Sequence, residues 1–287
     1  MWRSGFFVEN SDRHCPYTEQ MTLSRERLLG LYDQQLRTDA ETPSALNVQR
    51  LGPLRLVTFA NGRGFITYPH FTGQEPESLA HLAPEAIQYF KKQPEISQVE
   101  FKTRGHDHAP GLDEVLKDLG FSAEASESIM IGAMESLISG RPVPEGVEVR
   151  QISSASQIEE MCRMVDRAFD EPYDPGTTQA LIERMARKDG MELWVAISDG
   201  QMVGAGRLEP VADSEFAGLW GGGVLEEYRG RGIYRALTEA RARSALSGGY
   251  RYVHSDSTEY SRPILEARGL VKVSSTTPYL WQRSANS

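Results

Sequence analysis

Glu227-Tyr228-Arg229-Gly230-Arg231-Gly232-Ile233-Tyr234-Arg235-Ala236-Leu237 places two glycines and three arginines where an apolar stretch gives way to a helical pattern. Upstream, Phe216-Ala217-Gly218-Leu219-Trp220-Gly221-Gly222-Gly223-Val224 reads as a buried strand; downstream, Ile233, Leu237 and Ala240 recur at helical spacing. The glycines therefore stand at a helix N-terminus, where the first backbone N–H groups lack intrahelical acceptors and the macrodipole is positive. Gly230 and Gly232 permit positive φ and close backbone approach. Arg229, Arg231 and Arg235 are candidates for charge-assisted bonds to an anion. The run reads as a seat for phosphates, with a solvated turn as the alternative when it is taken alone. No Gly-Lys-Ser/Thr follows, and the third glycine of the dinucleotide fingerprint is missing, which argues against both common nucleotide loops.

The surroundings give the seat an architecture. Residues 147–152 alternate like a strand, 156–169 carry apolar residues at helical spacing, and a second helix is expected at about 176–188. Residues 191–197 and 202–208 read as a hairpin about the turn 198–201, followed by the phosphate strand and helix. A strand at 250–254, a short helix at 262–268 ending at Gly269, and a terminal strand region at 270–281 complete the half.

With Arg229 and Gly232 in an Arg-x-x-Gly-x-(Gly/Ala) spacing, and with this order of elements over about residues 146–283, the chain resembles the GNAT superfamily of acyl-CoA-dependent N-acyltransferases. Tyr234 replaces the small residue at the last motif position. The resemblance implies a mixed α/β fold with a central, mostly antiparallel sheet flanked by helices. It implies that acetyl-CoA or another acyl-CoA is a cosubstrate held by Arg229, Gly230, Arg231, Gly232, Ile233, Tyr234 and Arg235, with no metal. A main-chain N–H beside a splay in the central strand, near Val224 and Leu225, would polarise the thioester carbonyl. The family's leaving-group tyrosine aligns with Leu265, which cannot donate a proton, and its asparagine aligns with Thr258, whose hydroxyl retains hydrogen-bonding capacity.

Candidate bases are Glu215 near the start of the phosphate strand and His254 and Asp256 at the end of the next strand. A histidine titrates near neutrality; a structural histidine, and an Asp256 that only starts a turn, are the competing readings. Tyr260 offers a phenol, or is a surface residue. The acidic loop Asp170-Glu171-Pro172-Tyr173-Asp174-Pro175 is either an attractor for a cationic amine or a helix boundary. Trp194 and Trp220 are read as core.

Two prolines between glycines in Ser139-Gly140-Arg141-Pro142-Val143-Pro144-Glu145-Gly146 mark a boundary. The expected organisation is an extension at 1–20, a degenerate copy of the same domain at 21–140, a linker at 141–146, and the acyltransferase domain at 147–287. In the first half a helix is expected at 22–38, a hairpin at 54–60 and 64–68, helices at 82–92 and 112–119, and strands at 98–102 and 126–134. Val115-Leu116-Lys117-Asp118-Leu119-Gly120-Phe121 echoes Ile264-Leu265-Glu266-Ala267-Arg268-Gly269-Leu270 as an internal repeat. Thr72-Gly73-Gln74-Glu75-Pro76-Glu77 is acidic where a phosphate loop would be, so this copy is expected to bind no cofactor; an unrelated α/β domain is the alternative. Asn61-Gly62-Arg63-Gly64 reads as a hairpin turn.

A length of 287 residues suits two domains, and 39% apolar composition is ordinary for a globular protein. A net charge of −9 argues against nucleic-acid or anionic-membrane partners. No apolar run approaches the ~20 residues that span a bilayer, so a cytoplasmic protein is expected. Cys15 and Cys162 suggest neither disulfide nor zinc site. The expected activity is acyl transfer from acyl-CoA to a small-molecule or peptide amine, with a homodimer left open; the alternative is a noncatalytic acyl-CoA-binding or interaction module.

Overall fold

A computed structural model describes residues 24–60, 62–75, 78–259 and 261–284; the expected N-terminal extension, with Cys15, and Tyr260 lie outside them. In chain order the elements are α1 (Arg25–Gln35), β1 (Asn47–Leu51), β2 (Leu54–Phe59), β3 (Arg63–Thr67), α2 (Leu79–Lys91), β4 (Gln98–Arg104), α3 (Leu112–Asp118), β5 (Ser122–Ala123) and β6 (Glu127–Ala133). There follow β7 (Val147–Ile152), α4 (Ala155–Ala168), α5 (Pro175–Ala186), β8 (Glu192–Ser198), β9 (Gln201–Pro210), β10 (Phe216–Val224), α6 (Ile233–Ser247), β11 (Tyr252–Ser257), α7 (Arg262–Glu266) and β12 (Val271–Gln282). Side chains fix several helix starts: Ser24, Ser78, Ser154 and Asp174 each accept a hydrogen bond from a first-turn amide. Asp174 thus makes the acidic loop a helix boundary. β1 and β5 were not expected from the sequence; β1 is an exposed edge strand without a clear apolar alternation.

The repeat is structural. Each half has antiparallel strands, then one parallel pair flanking a helix: β3–β4 around α2 and β10–β11 around α6. Each then has a short helix, a left-handed glycine and a final strand. Gly120 at φ 89° and Gly269 at φ 84° close α3 and α7 with the same bonds, Phe121 N–H to the Leu116 carbonyl and Leu270 N–H to the Leu265 carbonyl.

The final strands are exchanged. β6 leaves its own half to pair with β11, and β12 returns to pair with β4, giving one sheet in the order β1-β2-β3-β4-β12-β6-β11-β10-β9-β8-β7, with β5 also on β12. The last strands of the two halves also pair with each other.

Helices cover both faces. On one, α2 and α3 pack over Val99 and Phe101, and α6 over Gly204 and Gly206; a Cβ at Gly206 would stand 2.5 Å from Nη1 of the buried Arg241. On the other, Leu28, Tyr32 and Leu36 pack against Ile129, Ile131 and Val273, and Phe169 at the end of α4 lies against Gly223. On this second face Lys102 of β4 meets Asp256 of β11 at 2.7 Å. Two strands lie between them, a separation of about 14 Å in a flat sheet, so the sheet curls into a concave cradle there.

Candidate active site

β10 and β11 hold parallel register only through Phe216–Tyr252, Ala217–Val253 and Gly218–His254. Beyond Gly218 they diverge, β10 continuing along β9 and β11 along β6. The divergence coincides with a register shift in β10 between Trp220 and Gly223, where Gly221 adopts φ 56°. Three successive glycines are the sequence mark of such a bulge. The splay therefore lies at Gly221–Gly222, upstream of the expected Val224–Leu225. The Leu225 amide is already donated to the Val203 carbonyl at 3.0 Å.

On the α6 face, the splay leads to the glycine loop. Gly230 (φ 75°) and Gly232 (φ 83°) both take left-handed backbone, Gly232 as the residue before α6. The amides from Gly230 to Arg235 have no acceptor among the described residues, which leaves a run of outward donors at the positive helix end. The arginine side chains are deployed differently from expectation. Arg229 donates to the carbonyls of Val224 (3.1 Å) and Ala168 (2.7 Å), and Arg231 to that of Glu227 (2.8 Å) while lying over Tyr228. Arg235 donates to the Arg141 and Pro142 carbonyls and to Ser139, tying the interdomain segment to α6. These bonds brace the loop around its outward main-chain amides. Burial disfavours the charge of nearby Glu239, yet hydrogen bonds from Ser139 and Arg243 hold its carboxyl down at about 2. Tyr234 turns back over β10, its Cε2 2.9 Å from where a Cβ on Gly222 would be; glycine there admits the bulky residue.

Among the described residues, the corresponding turn of the first half has its amides bonded internally. Glu75 accepts hydrogen bonds from the amides of Thr72 (2.9 Å) and Gly73 (2.8 Å) and the Thr72 hydroxyl (3.0 Å). Its own carboxylate occupies that turn.

On the concave face the splay opens into a cavity of about 300 Å³. β11 contributes His254 and Asp256, β10 Trp220, β9 Arg207 and Glu209, and α5 Arg184, while α1, Glu41 and Lys102 of the first half form the opposite wall. His254 Nε2 is buried with no hydrogen-bond partner among the described residues. Trp220 stands edge-on to its ring at 5.4 Å, lining the cavity instead of entering the core. Burial pushes the imidazole down to about 4, against the opposing pull of Asp256, so it is neutral at ordinary pH. Burial would raise Asp256, but Lys102 beside it lowers it below the usual carboxylate range.

Other expected site residues lie elsewhere. Glu215 is bonded to Gln35 and Arg251 near the opposite end of the parallel pair, outside the cavity. Thr258 is exposed and faces the Ser261 hydroxyl at 3.3 Å. Leu265 is buried against the α6 core. Trp194 packs against the second-half core with its Nε1 on Glu192. Lys102 and Arg207 had no sequence signal, since neither belongs to a motif.

Residues 158–269 match the model of the acetyltransferase (GNAT) family. This segment is a GNAT domain. Solved structures share the fold over most of the chain. A GCN5-related N-acetyltransferase from Kribbella flavida superposes with a TM-score of 0.64 at 16% identity, over 91% of this chain and 96% of its own. A tandem GNAT protein from the clavulanic acid biosynthesis pathway gives 0.62 at 13%, over 92% and 98%. A conserved protein of unknown function from Staphylococcus epidermidis gives 0.62 at 16%, over 84% and 95%. At these identities the likeness is one of fold. No curated protein sequence matches significantly. Among the described residues of the GNAT domain and its partner half, no helix is long and apolar enough to cross a membrane.

Proposed function

We propose that the chain is an N-acyltransferase that moves an acyl group, acetyl in the simplest case, from acyl-CoA to an amine by direct transfer. The observation that carries this reading is the β10–β11 splay, with outward loop amides on one face and, on the other, the cavity lined by His254, whose buried Nε2 has no hydrogen-bond partner among the described residues. The amides of Gly230–Arg235 hold the pyrophosphate, and the thioester enters the splay beside Gly221–Gly222. A neutral amine in the cavity attacks the thioester carbon, losing a proton toward His254, and the C–S bond breaks. Asp256, held ionised by Lys102, stabilises the imidazolium that forms. With Leu265 in the core, the sulfur leaves as a thiolate, which a thiol of pKa about 8.5 allows near neutrality. The first half supplies one wall of the acceptor cavity instead of a second CoA site.

Buried Leu265 also favours a second reading, a module that binds acyl-CoA without turning it over. Free-thiol release from acetyl-CoA with an amine panel, alongside CoA calorimetry, separates the two. Acyl transfer predicts thiol release that requires an amine; tight CoA binding with no release for any amine selects the module, and absence of CoA binding removes both. Gly230→Ala plus Gly232→Ala should weaken CoA binding about tenfold or more, because left-handed backbone costs a non-glycine residue roughly 1–2 kcal/mol.

A further inference from the structure

We infer that the acceptor is an amino acid or an amino-acid-like zwitterion, an amine that also carries a carboxylate. This rests on the acyl-transfer reading and deepens it. The cavity lining holds three cations, Lys102, Arg184 and Arg207, and three anions, Glu41, Glu209 and Asp256. A polyamine or basic peptide needs carboxylates to spare. Here each is taken: Asp256 by Lys102 at 2.7 Å, Glu209 by Arg184 at 2.6 Å, and Glu41 by Arg104.

The surplus is in donors, at the β9 side. Arg184 divides its bonds between Glu209 and Asp189, whereas Arg207 meets Glu209 only as an ion contact of 3.3 Å and its buried Nε makes no hydrogen bond among the described residues. A guanidinium carries five donors in a fork that matches a carboxylate, and the Arg207 side chain is 33% accessible and lines the cavity. Arg207 is the cross-strand partner of Trp220, and the Trp220 indole touches His254. A carboxylate on Arg207 and an amine at His254 Nε2 thus lie on either side of one indole, and a volume of about 300 Å³ suits a molecule of amino-acid size.

The test uses the full chain loaded with CoA or acetyl-CoA, with α- and ω-amino acids, their carboxamides, and spermidine. Binding is read by saturation-transfer NMR and turnover by thiol release. Amino acids should outperform their amides by about tenfold or more, the equivalent of one charge-assisted bond. Arg207→Gln should shrink that ratio to below about threefold, and Arg207→Lys should retain part of it. Amides or spermidine performing as well as the acids, or no amino acid binding at all, overturns the inference. Thiol release with spermidine alone would do so while leaving acyl transfer intact. Amino acids that bind with the carboxylate preference but release no thiol support the site and overturn acyl transfer instead.

Discussion

Replacing Lys102 with methionine removes the first half's charge from the second half's site, and the structure sets the size of the effect. Lys102 and Asp256 form a contact of 2.7 Å with side-chain exposures of 18% and 12%. Loss of one partner from a buried pair leaves the other as an unpaired buried charge, at about 3–5 kcal/mol. The expected cost of Lys102→Met at pH 7 is near the lower end, because Arg104 also lowers Asp256. With Lys102 present, the Asp256 carboxyl lies below its unfolded value, so its stabilisation holds above about pH 3.9 and fades as pH falls through the folded value. Without Lys102, burial dominates and raises it, so the penalty should grow from about pH 4 to pH 7. Urea unfolding of the wild type, Lys102→Met, Asp256→Asn and the double variant at both pH values measures this. The double variant should be more stable than the sum of the singles by about 2 kcal/mol or more, within the range for residues in contact. A Lys102→Met penalty below about 1 kcal/mol, identical at pH 4 and 7, would refute the claim that this pair staples the halves.

His254 should give its own signature in stability. Burial holds its imidazole at about 4, so the unfolded chain, near 6.5, takes up the proton first and stability falls as pH drops between those values. The full loss is about 3 kcal/mol. His254→Asn should lack that part of the slope in paired unfolding titrations; parallel slopes would show the ring to be freely solvated. Gly222→Ala should cost about 1–3 kcal/mol by overpacking against Tyr234, and adding Tyr234→Ala should recover most of it. Thermal melts that show the two changes to be additive would mean that Tyr234 does not pack there.

Much of the fold was legible because local signals agreed. The strand–glycine-loop–helix run, the hairpin at 191–208 and the paired helix-Gly-strand endings all correspond to observed elements. His254 and Asp256, singled out by their place at a strand end, both line the cavity, since alternate residues of β11 face it. Glu215 precedes the divergence, faces Arg251 and lies outside the cavity. The three arginines donate to main-chain carbonyls at the loop margins, acceptors that a charge pattern in the sequence does not name. Trp220, read as core, lines the cavity instead: it shares the α1 face with Phe216 by regular alternation, and periodicity alone does not say where that face is left uncovered.

The sequence by itself determined that one loop could hold phosphates: left-handed glycines before a helix create free amides by local geometry alone, whatever the rest of the chain does. Tertiary structure decided everything that faces those phosphates across the sheet. Only the exchange of β6 and β12 and the curl of the shared sheet bring Lys102 to Asp256, across 154 residues of chain. That contact depends on strand order and curvature, which no local pattern encodes.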